Sequence, residues 1–288
     1  MRMKDNEGDV VQTASLFESQ EVHKVAKIGF IGMGNMGGAI LKGLLKNFPK
    51  EDLIFTAKTE GTKRKVYEET GVMYADSNAE CANRCKYLIL AVKPQFYEEV
   101  LKAIRYMVTP DHVIISLAPG RSIEQLKLSL GNDKRIVRAM PNTPAMIGEG
   151  MTGLCCNREE FAGPELELLE KIFSSCGKVE FVDEKLMDAV VCASGSSPAF
   201  VYMFIEALAD GAVRCGMPRK QAYVFAAQAV KGAASMVLET GEHPGVLKDN
   251  VCSPAGTTME GVAALEEYGM RNAVLKASEA VYKKCTQI

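Results

Sequence analysis

The glycines after the first apolar run of the chain have the spacing of a phosphate-binding turn. The segment reads Lys27-Ile-Gly-Phe-Ile-Gly-Met-Gly-Asn-Met-Gly-Gly38, a G-x-G-x-x-G pattern between a strand-like run and a helix-like one. Gly32 permits the tight turn, Gly34 lets a pyrophosphate approach the backbone, and Gly37 lets the helix pack on the strand. The helix N-terminus offers unpaired N–H groups and a positive dipole end. The alternative is a glycine-rich turn without a ligand. The predicted dinucleotide contacts are Ile31, Gly32, Met33, Gly34, Asn35, Met36 and Gly37.

The end of the second strand indicates which dinucleotide binds. NAD-binding folds place Asp or Glu about 20 residues after the glycines to hold the ribose 2′-OH. Here the segment reads Phe55-Thr-Ala-Lys-Thr59, and Lys63 and Arg64 follow. Hydroxyls and cations accept a 2′-phosphate, which a carboxylate would repel. We therefore expect Ala57, Lys58 and Thr59 to favour NADP(H), with NAD(H) as the alternative. In another interpretation, Lys63 and Arg64 only cover a solvated helix face.

Short, uniformly apolar runs alternate with helix-like segments up to residue 183, as expected for parallel strands covered on both faces. The predicted strands are Lys27–Ile31, Asp52–Ala57, Tyr87–Val92, Val113–Leu117 and Ile136–Met140, with Gly150–Cys156 and Lys178–Val182 as extensions of the sheet. Proline at the start and glycine at the end mark helices in the remainder, which contains no convincing strand. The fold class is α/β: a Rossmann-type doubly wound, mostly parallel sheet over residues 25–183, followed by an all-helical domain over 184–288. In this interpretation, Ser197 caps a helix that begins at Pro198 and runs to Cys215.

A long helix beginning after Pro218 and ending at Thr240 is apolar around nearly its whole circumference. A surface helix shows only one apolar stripe. A domain of about 105 residues has difficulty burying such a helix alone. We therefore expect a homodimer through the C-terminal helices, extending to a higher oligomer of dimers; the alternative is a central helix within one subunit.

Composition excludes several classes of function. The formal net charge is −2, and no basic block indicates a nucleic-acid partner. No apolar run approaches the roughly 20 residues of a membrane span, so no membrane partner is expected. The nine cysteines include no C-x-x-C pair, and no metal site is expected. Residues 1–24 are interpreted as a disordered or loosely attached extension. They lack a signal or transit pattern, and this absence favours a cytoplasmic location.

Four segments together resemble the Δ1-pyrroline-5-carboxylate reductase family from about Lys27 to the C-terminus. They are the glycine turn, Leu90-Ala-Val-Lys-Pro-Gln95, Arg138-Ala-Met-Pro-Asn-Thr-Pro144 with Gly148-Glu-Gly150, and His243-Pro-Gly-Val-Leu-Lys-Asp-Asn-Val-Cys-Ser-Pro-Ala-Gly-Thr-Thr258. The resemblance implies hydride transfer from a reduced nicotinamide to the C=N carbon of a cyclic imino acid, giving L-proline. It also implies an active site at a subunit boundary.

The resemblance assigns roles to individual residues. Thr258 is implied as the catalytic residue, with its hydroxyl near the substrate ring nitrogen. The implied substrate contacts are Glu184, Asn250, Ser253, Gly256, Thr257 and Thr258, where simple N-capping is the alternative for Ser253 and Thr257. The implied further cofactor contacts are Asn78, Ala91, Val92, Lys93, Pro94, Ala118 and Asn142.

Two residues depart from the family pattern. Ala255 and Ser197 stand where the family usually has glycine. If residue 255 needs a positive φ, its alanine is strained by about 1 kcal/mol or more.

Two other functions remain open. One is a related imine or hydroxyacid oxidoreductase. Hydroxyacid dehydrogenases of similar build use a lysine on a C-terminal helix as acid and base, and Lys231 is the only lysine deep inside the long helices here. The other is a non-catalytic NADP(H)-binding protein.

Overall fold

A computed structural model describes residues 26–287 of the chain, so the extension expected over residues 1–24 lies outside the described residues. Eight strands form one sheet in the order β3-β2-β1-β4-β5-β6-β7-β8. All neighbouring strands are parallel except β6 and β7, which are antiparallel. This confirms the mostly parallel, doubly wound sheet. The strands are β1 Ala26–Ile31, β2 Leu53–Thr56, β3 Met73–Tyr74, β4 Cys85–Leu90, β5 Val113–Ser116, β6 Arg135–Met140, β7 Gly150–Cys156 and β8 Gly177–Phe181.

Twelve α-helices complete the described chain. They are α1 Asn35–Leu44, α2 Glu60–Thr70, α3 Asn78–Asn83, α4 Tyr97–Ile104, α5 Ile123–Leu130, α6 Gly163–Ser174, α7 Met187–Val190, α8 Ser197–Arg214, α9 Arg219–Thr240, α10 Pro244–Val251, α11 Thr257–Glu267 and α12 Met270–Cys285. The two-residue strand β3 and the short helix α10 carry too little periodic pattern to be identified from the sequence.

The uniform apolarity of the strands follows from a core on each face of the sheet. Phe30 of β1 belongs to a cluster that includes buried residues of α1 and α6, such as Ile40 and Phe173. Its neighbour Ile31 faces the other way, into a cluster with Tyr97 of α4 and residues of α3 and α5. Because successive side chains of a strand point to opposite faces, both faces must be apolar.

The helical region begins at Glu184, as the sequence indicated, and several helical turns precede α8. The predicted helix agrees with α8, which begins at Ser197, but helical backbone already extends from Glu184 to Arg214, with a π-helical turn over Val191–Gly195, so the predicted N-cap role of Ser197 is wrong. Ser197 lies inside this run, and its hydroxyl donates to the Ala193 carbonyl at 2.7 Å. The serine therefore substitutes for a glycine without strain, since its φ is not positive.

The C-terminal helices leave large apolar side chains exposed. In α9 only Ala222 and Ala226 are buried, whereas Val224 and Phe225 are 64% and 59% exposed. The alternative of a helix buried within one subunit is therefore wrong. The stretch Glu184–Arg214 is also long and apolar enough to cross a bilayer by length and composition, contrary to the expectation that no run approaches that length.

Candidate active site

The glycine turn between β1 and α1 has the geometry that its sequence predicted. Gly32 adopts φ +102°, and a Cβ there would lie 2.8 Å from the Ala91 carbonyl oxygen. A Cβ at Gly37 would lie 2.3 Å from the Gly32 carbonyl oxygen, so only glycine lets α1 approach the turn. A Cβ at Gly34 would meet nothing within 4 Å. The backbone at Gly34 therefore borders open space at the end of the helix.

The N-terminus of α1 is prepared for an anion. No side chain caps it, and its first turn contains no acidic residue. The Gly38 N–H donates to the Gly34 carbonyl, while the N–H groups of Asn35, Met36 and Gly37 have no acceptor among residues 26–287. Unsatisfied N–H groups at a positive dipole end fit a pyrophosphate. The flanking residues Ile31 and Met33 belong to the same strand-turn-helix unit.

The cations and the hydroxyl that follow β2 differ in exposure: three of these residues are exposed and one is buried. Lys58 is exposed, with its Nζ 4.6 Å from the centroid of the Phe96 ring, and Thr59 caps α2 by accepting from the Thr62 N–H. Arg64 is exposed as well. Lys63 is buried, which makes wrong both its predicted place at the phosphate and its alternative place on a solvated helix face.

The carboxyl ends of β4 and β5 continue the sheet edge beside the glycine turn, and this edge and the turn together border the expected dinucleotide groove. The Ala91 N–H donates to the Ile31 carbonyl at 2.9 Å, which extends the pairing of β4 with β1. Val92 is half-buried, Lys93 and Pro94 are exposed, and Ala118 is buried. Asn78 is the first residue of α3, directly after the Ser77 cap.

Tyr97, the first residue of α4, supports this edge, and no sequence pattern identifies it. Its hydroxyl donates to the Leu90 carbonyl at 2.8 Å, lies 3.1 Å from the Ser116 hydroxyl and accepts from the Leu117 N–H. Burial raises the pKa of Tyr97 to about 12, so the phenol stays protonated. Tyr97 thereby connects the ends of β4 and β5.

Asn142 and Glu184 lie at the junction between the sheet and the helices. The Asn142 side chain donates to the Ser194 carbonyl at 3.0 Å and accepts from the Met151 N–H at 2.9 Å. Glu184 accepts from the Ile123 N–H at 2.7 Å and from buried Arg138 at 3.0 Å. Both side chains therefore hold structural contacts, and within one subunit Glu184 has no bond to the other implied substrate residues.

The implied substrate turn lies between α10 and α11. Gly256 is the N-cap of α11 and supplies no side-chain bond. The hydroxyls of Ser253, Thr257 and Thr258 make no hydrogen bond within the described chain, so plain N-capping does not describe them. Asn250, Thr257 and Thr258 are exposed. The turn thus combines an uncapped helix N-terminus with unpartnered hydroxyls.

Ala255 is held in the left-handed region. Its φ is +56°, the only positive φ of a non-glycine residue among residues 26–287. The expected strain at this departure from the family pattern is therefore present, in the turn that contains the implied catalytic residue.

A single subunit does not bring the two halves of the site together. No hydrogen bond or ion pair among the described residues joins the segment 250–258 to the sheet domain. A cavity of about 710 Å³ lies elsewhere, between α5 and the ends of β7 and β8, and Glu184 is on its lining. That lining includes neither the glycine turn nor the residues around Thr258. Both halves of the predicted site therefore lie on open surfaces of the subunit.

Cysteine and metal chemistry find little support in the described residues. Burial raises the pKa of Cys81 to about 12 and that of Cys155 to about 11, which keeps both thiols protonated. Within residues 26–287, no three His, Cys, Asp or Glu residues are grouped to hold a metal ion. The Nδ1 of His243 accepts from the Gly245 N–H at 3.0 Å, a structural contact at the start of α10.

The fold and the phosphate turn define a Rossmann-type dinucleotide-dependent oxidoreductase with a helical C-terminal domain. A family profile described as NADP oxidoreductase, coenzyme F420-dependent, matches residues 27–120, and one described as pyrroline-5-carboxylate reductase dimerisation matches residues 184–288.

Full-length relatives define the family more narrowly. The pyrroline-5-carboxylate reductase of Escherichia coli is 46% identical over 265 residues, which cover 91% of this chain and 98% of that protein. The enzyme of Methanosarcina acetivorans is 44% identical, covering 88% and 96%. The crystal structure of Plasmodium falciparum pyrroline carboxylate reductase with NADP bound has a TM-score of 0.81 and 34% identity, covering 92% of this chain and 98% of that one. This chain belongs to the pyrroline-5-carboxylate reductase family.

Proposed function

We propose that this protein is the enzyme that reduces 1-pyrroline-5-carboxylate to L-proline with NADPH, the last step of proline biosynthesis. One observation carries the proposal: α1 and α11 each begin after a glycine N-cap in extended conformation, Gly34 and Gly256, which provides no side-chain cap, and free hydroxyls flank the second. The reaction needs two anion sites, one for the dinucleotide and one for the carboxylate of a small imino acid. Helix N-termini bind anions without an arginine.

NADPH, when bound, supplies the hydride from its nicotinamide ring. The N–H groups from Asn35 to Gly37 hold the pyrophosphate against the open space beside Gly34. Lys58 and Thr59 hold the 2′-phosphate. Asn78, Ala118 and the segment Ala91–Pro94 form the walls of the groove, and the buried Tyr97 fixes the strand ends beneath it.

The α11 turn holds the substrate. The N–H groups of Thr257 and Thr258 bind its carboxylate, with Asn250 and Ser253 beside them. The Thr258 hydroxyl hydrogen-bonds near the ring nitrogen and orients the imine carbon. No strong general acid is required, because an imine is far more basic than a ketone; the proton comes from solvent or arrives with the iminium form.

The protein is a homodimer, and we propose that its active site lies between the subunits. The separation of the α11 turn from the sheet domain within one subunit supports this arrangement. The exposed apolar residues of α8 and α9 are then covered by a second subunit rather than by lipid. We further propose an oligomer of dimers, a cytoplasmic location, and a division into domains 25–183 and 184–288, which coincides with the end of β8 and the start of the dimerisation profile.

Replacing Thr258 tests the assignment of the site. We expect Thr258→Ala to lower kcat/KM for the cyclic imine roughly 10- to 100-fold, the worth of one hydrogen bond to a charged group, without abolishing turnover. Thr258→Ser retains the hydroxyl and should keep most of the activity. NADPH oxidation is followed by absorbance with the purified dimer. An unchanged kcat/KM in Thr258→Ala would remove the residue from the mechanism.

The hydroxyacid oxidoreductase alternative depends on Lys231, which the structure places at an exposed position. Its Nζ lies 3.5 Å from a carboxylate oxygen of Glu149, and its side chain is 63% exposed. A lysine that acts as acid and base needs a desolvated setting to lower its pKa. Parallel assays with 3-hydroxy acids should show no turnover.

A further inference from the structure

The segment expected to receive the 2′-phosphate contains one carboxylate, and the buried lysine holds it. Between Ala57 and Arg64 the only acidic residue is Glu60, which directly follows Thr59. Lys63 Nζ donates to Glu60 Oε1 at 2.7 Å and to the Asp76 carbonyl at 3.0 Å. The Lys63 side chain is 5% exposed, whereas that of Glu60 is 63% exposed. A buried ammonium thus pairs with a carboxylate that borders solvent.

The contacts of Lys63 extend to β3 and to the loop before α3. The Asp76 carbonyl precedes Ser77 and Asn78, which begin α3. The Nζ also lies 5.8 Å from the centroid of the Tyr74 ring, which favours a cation. The ammonium therefore has three partners, and its side chain holds the start of α2 against the loop before α3. It is not free to bind a phosphate itself.

We infer that Lys63 determines the cofactor preference of this enzyme indirectly, by neutralising and holding Glu60 so that a 2′-phosphate can bind beside Lys58 and Thr59. The inference rests on the proposed NADPH-dependent function. In NAD-selective folds a free carboxylate near this position binds the ribose 2′-OH and repels a phosphate. Here the carboxylate is present but paired. Lys63 is thus a positioning residue, and the groups that touch the cofactor remain Lys58 and Thr59.

Removing the ammonium should convert Glu60 into a discriminator against NADPH. In Lys63→Met the Glu60 charge is uncompensated next to a 2′-phosphate that carries nearly two negative charges. We expect the dissociation constant for NADPH to rise roughly tenfold relative to that for NADH. Because the repulsion is electrostatic, the change should shrink at high salt.

The chain offers matched controls. Lys65→Met removes the same charge two residues away, from a lysine that is 76% exposed and pairs with Glu69 across one helical turn, and it should leave the NADPH/NADH ratio unchanged. Lys63→Arg retains the cation and should keep the preference. The double variant Lys63→Met/Glu60→Gln removes both charges and should recover the preference even if packing around residue 63 is disturbed.

Binding is measured by fluorescence titration of NADPH and NADH with the intact dimer, together with kcat/KM for both. A preference for NADPH over NADH that falls in Lys63→Met and recovers in the double variant supports the inference. An equal loss of affinity for both cofactors would overturn it, and so would a reduced preference for NADPH that persists in the double variant. Titration separates this test from the proposed reaction, because binding is measured even if no imine is reduced. A wild-type protein that binds NADH as tightly as NADPH would refute the proposed preference and the inference together.

Discussion

Replacing Ala255 by glycine should stabilise the protein. At φ +56° the alanine Cβ crowds its own backbone, at a cost of roughly 1–2 kcal/mol. Glycine removes that cost but gains freedom in the unfolded chain, which returns about 0.4–1 kcal/mol. The net expectation is a gain of roughly 0.5–1 kcal/mol in the free energy of unfolding for Ala255→Gly.

Urea denaturation at a fixed protomer concentration measures this change, since the stability of a dimer depends on concentration. Gly269→Ala is the matched reverse substitution. Gly269 has φ +74°, and a Cβ there would meet nothing within 4 Å, so only the backbone conformation is tested. By the same two terms it should lose roughly 0.5–1 kcal/mol of stability. If Ala255→Gly is neutral or destabilising while Gly269→Ala loses stability as expected, the turn at Ala255 is not strained and the reasoning is refuted.

Two further predictions concern acid stability and the phosphate turn. Burial raises the pKa of the Glu165 carboxyl, but hydrogen bonds from Lys86 and Arg135 outweigh it and lower that pKa to about 2 from an ordinary 4.5. This stabilisation is present above about pH 4.5 and is lost as the pH falls towards 2. The melting temperature of Glu165→Gln should therefore fall less steeply than that of the wild-type protein between about pH 5 and pH 3. An equally steep fall in the variant would contradict this prediction. Gly37→Ala forces a Cβ against a backbone carbonyl and should weaken NADPH binding at least roughly tenfold, measured by titration. Gly38→Ala, which meets nothing within 4 Å, is its control, and equal affinities in the two variants would refute the packing argument.

The sheet and the glycine turn could be predicted because their signals are local. A buried parallel strand is apolar throughout, and a turn that needs a positive φ at Gly32 and a close approach at Gly37 admits little except glycine. The capping role of one boundary residue was not predicted correctly. Ser197 has the residue type of an N-cap, but a π-helical turn before it lets the helix continue through that position.

The site was predicted as a set of residues but not as an arrangement. Lys63 and Arg64 are adjacent cations in the sequence, yet one is buried and the other exposed. Glu184 was implied as a substrate contact, and only the structure shows that it pairs with Arg138, a residue that is distant along the chain. Such pairings depend on which elements meet in three dimensions, and a motif does not contain that information.

The sequence by itself determined the class of fold, the phosphate turn and the family, since these depend on backbone conformation, periodic apolarity and local residue type. Only the tertiary structure decided that Lys63 neutralises Glu60, that Ala255 carries positive φ, and that the α11 turn has no bond to the sheet domain within its own subunit. The physical reason is that charge pairing, strain and burial depend on distances between residues that folding brings together.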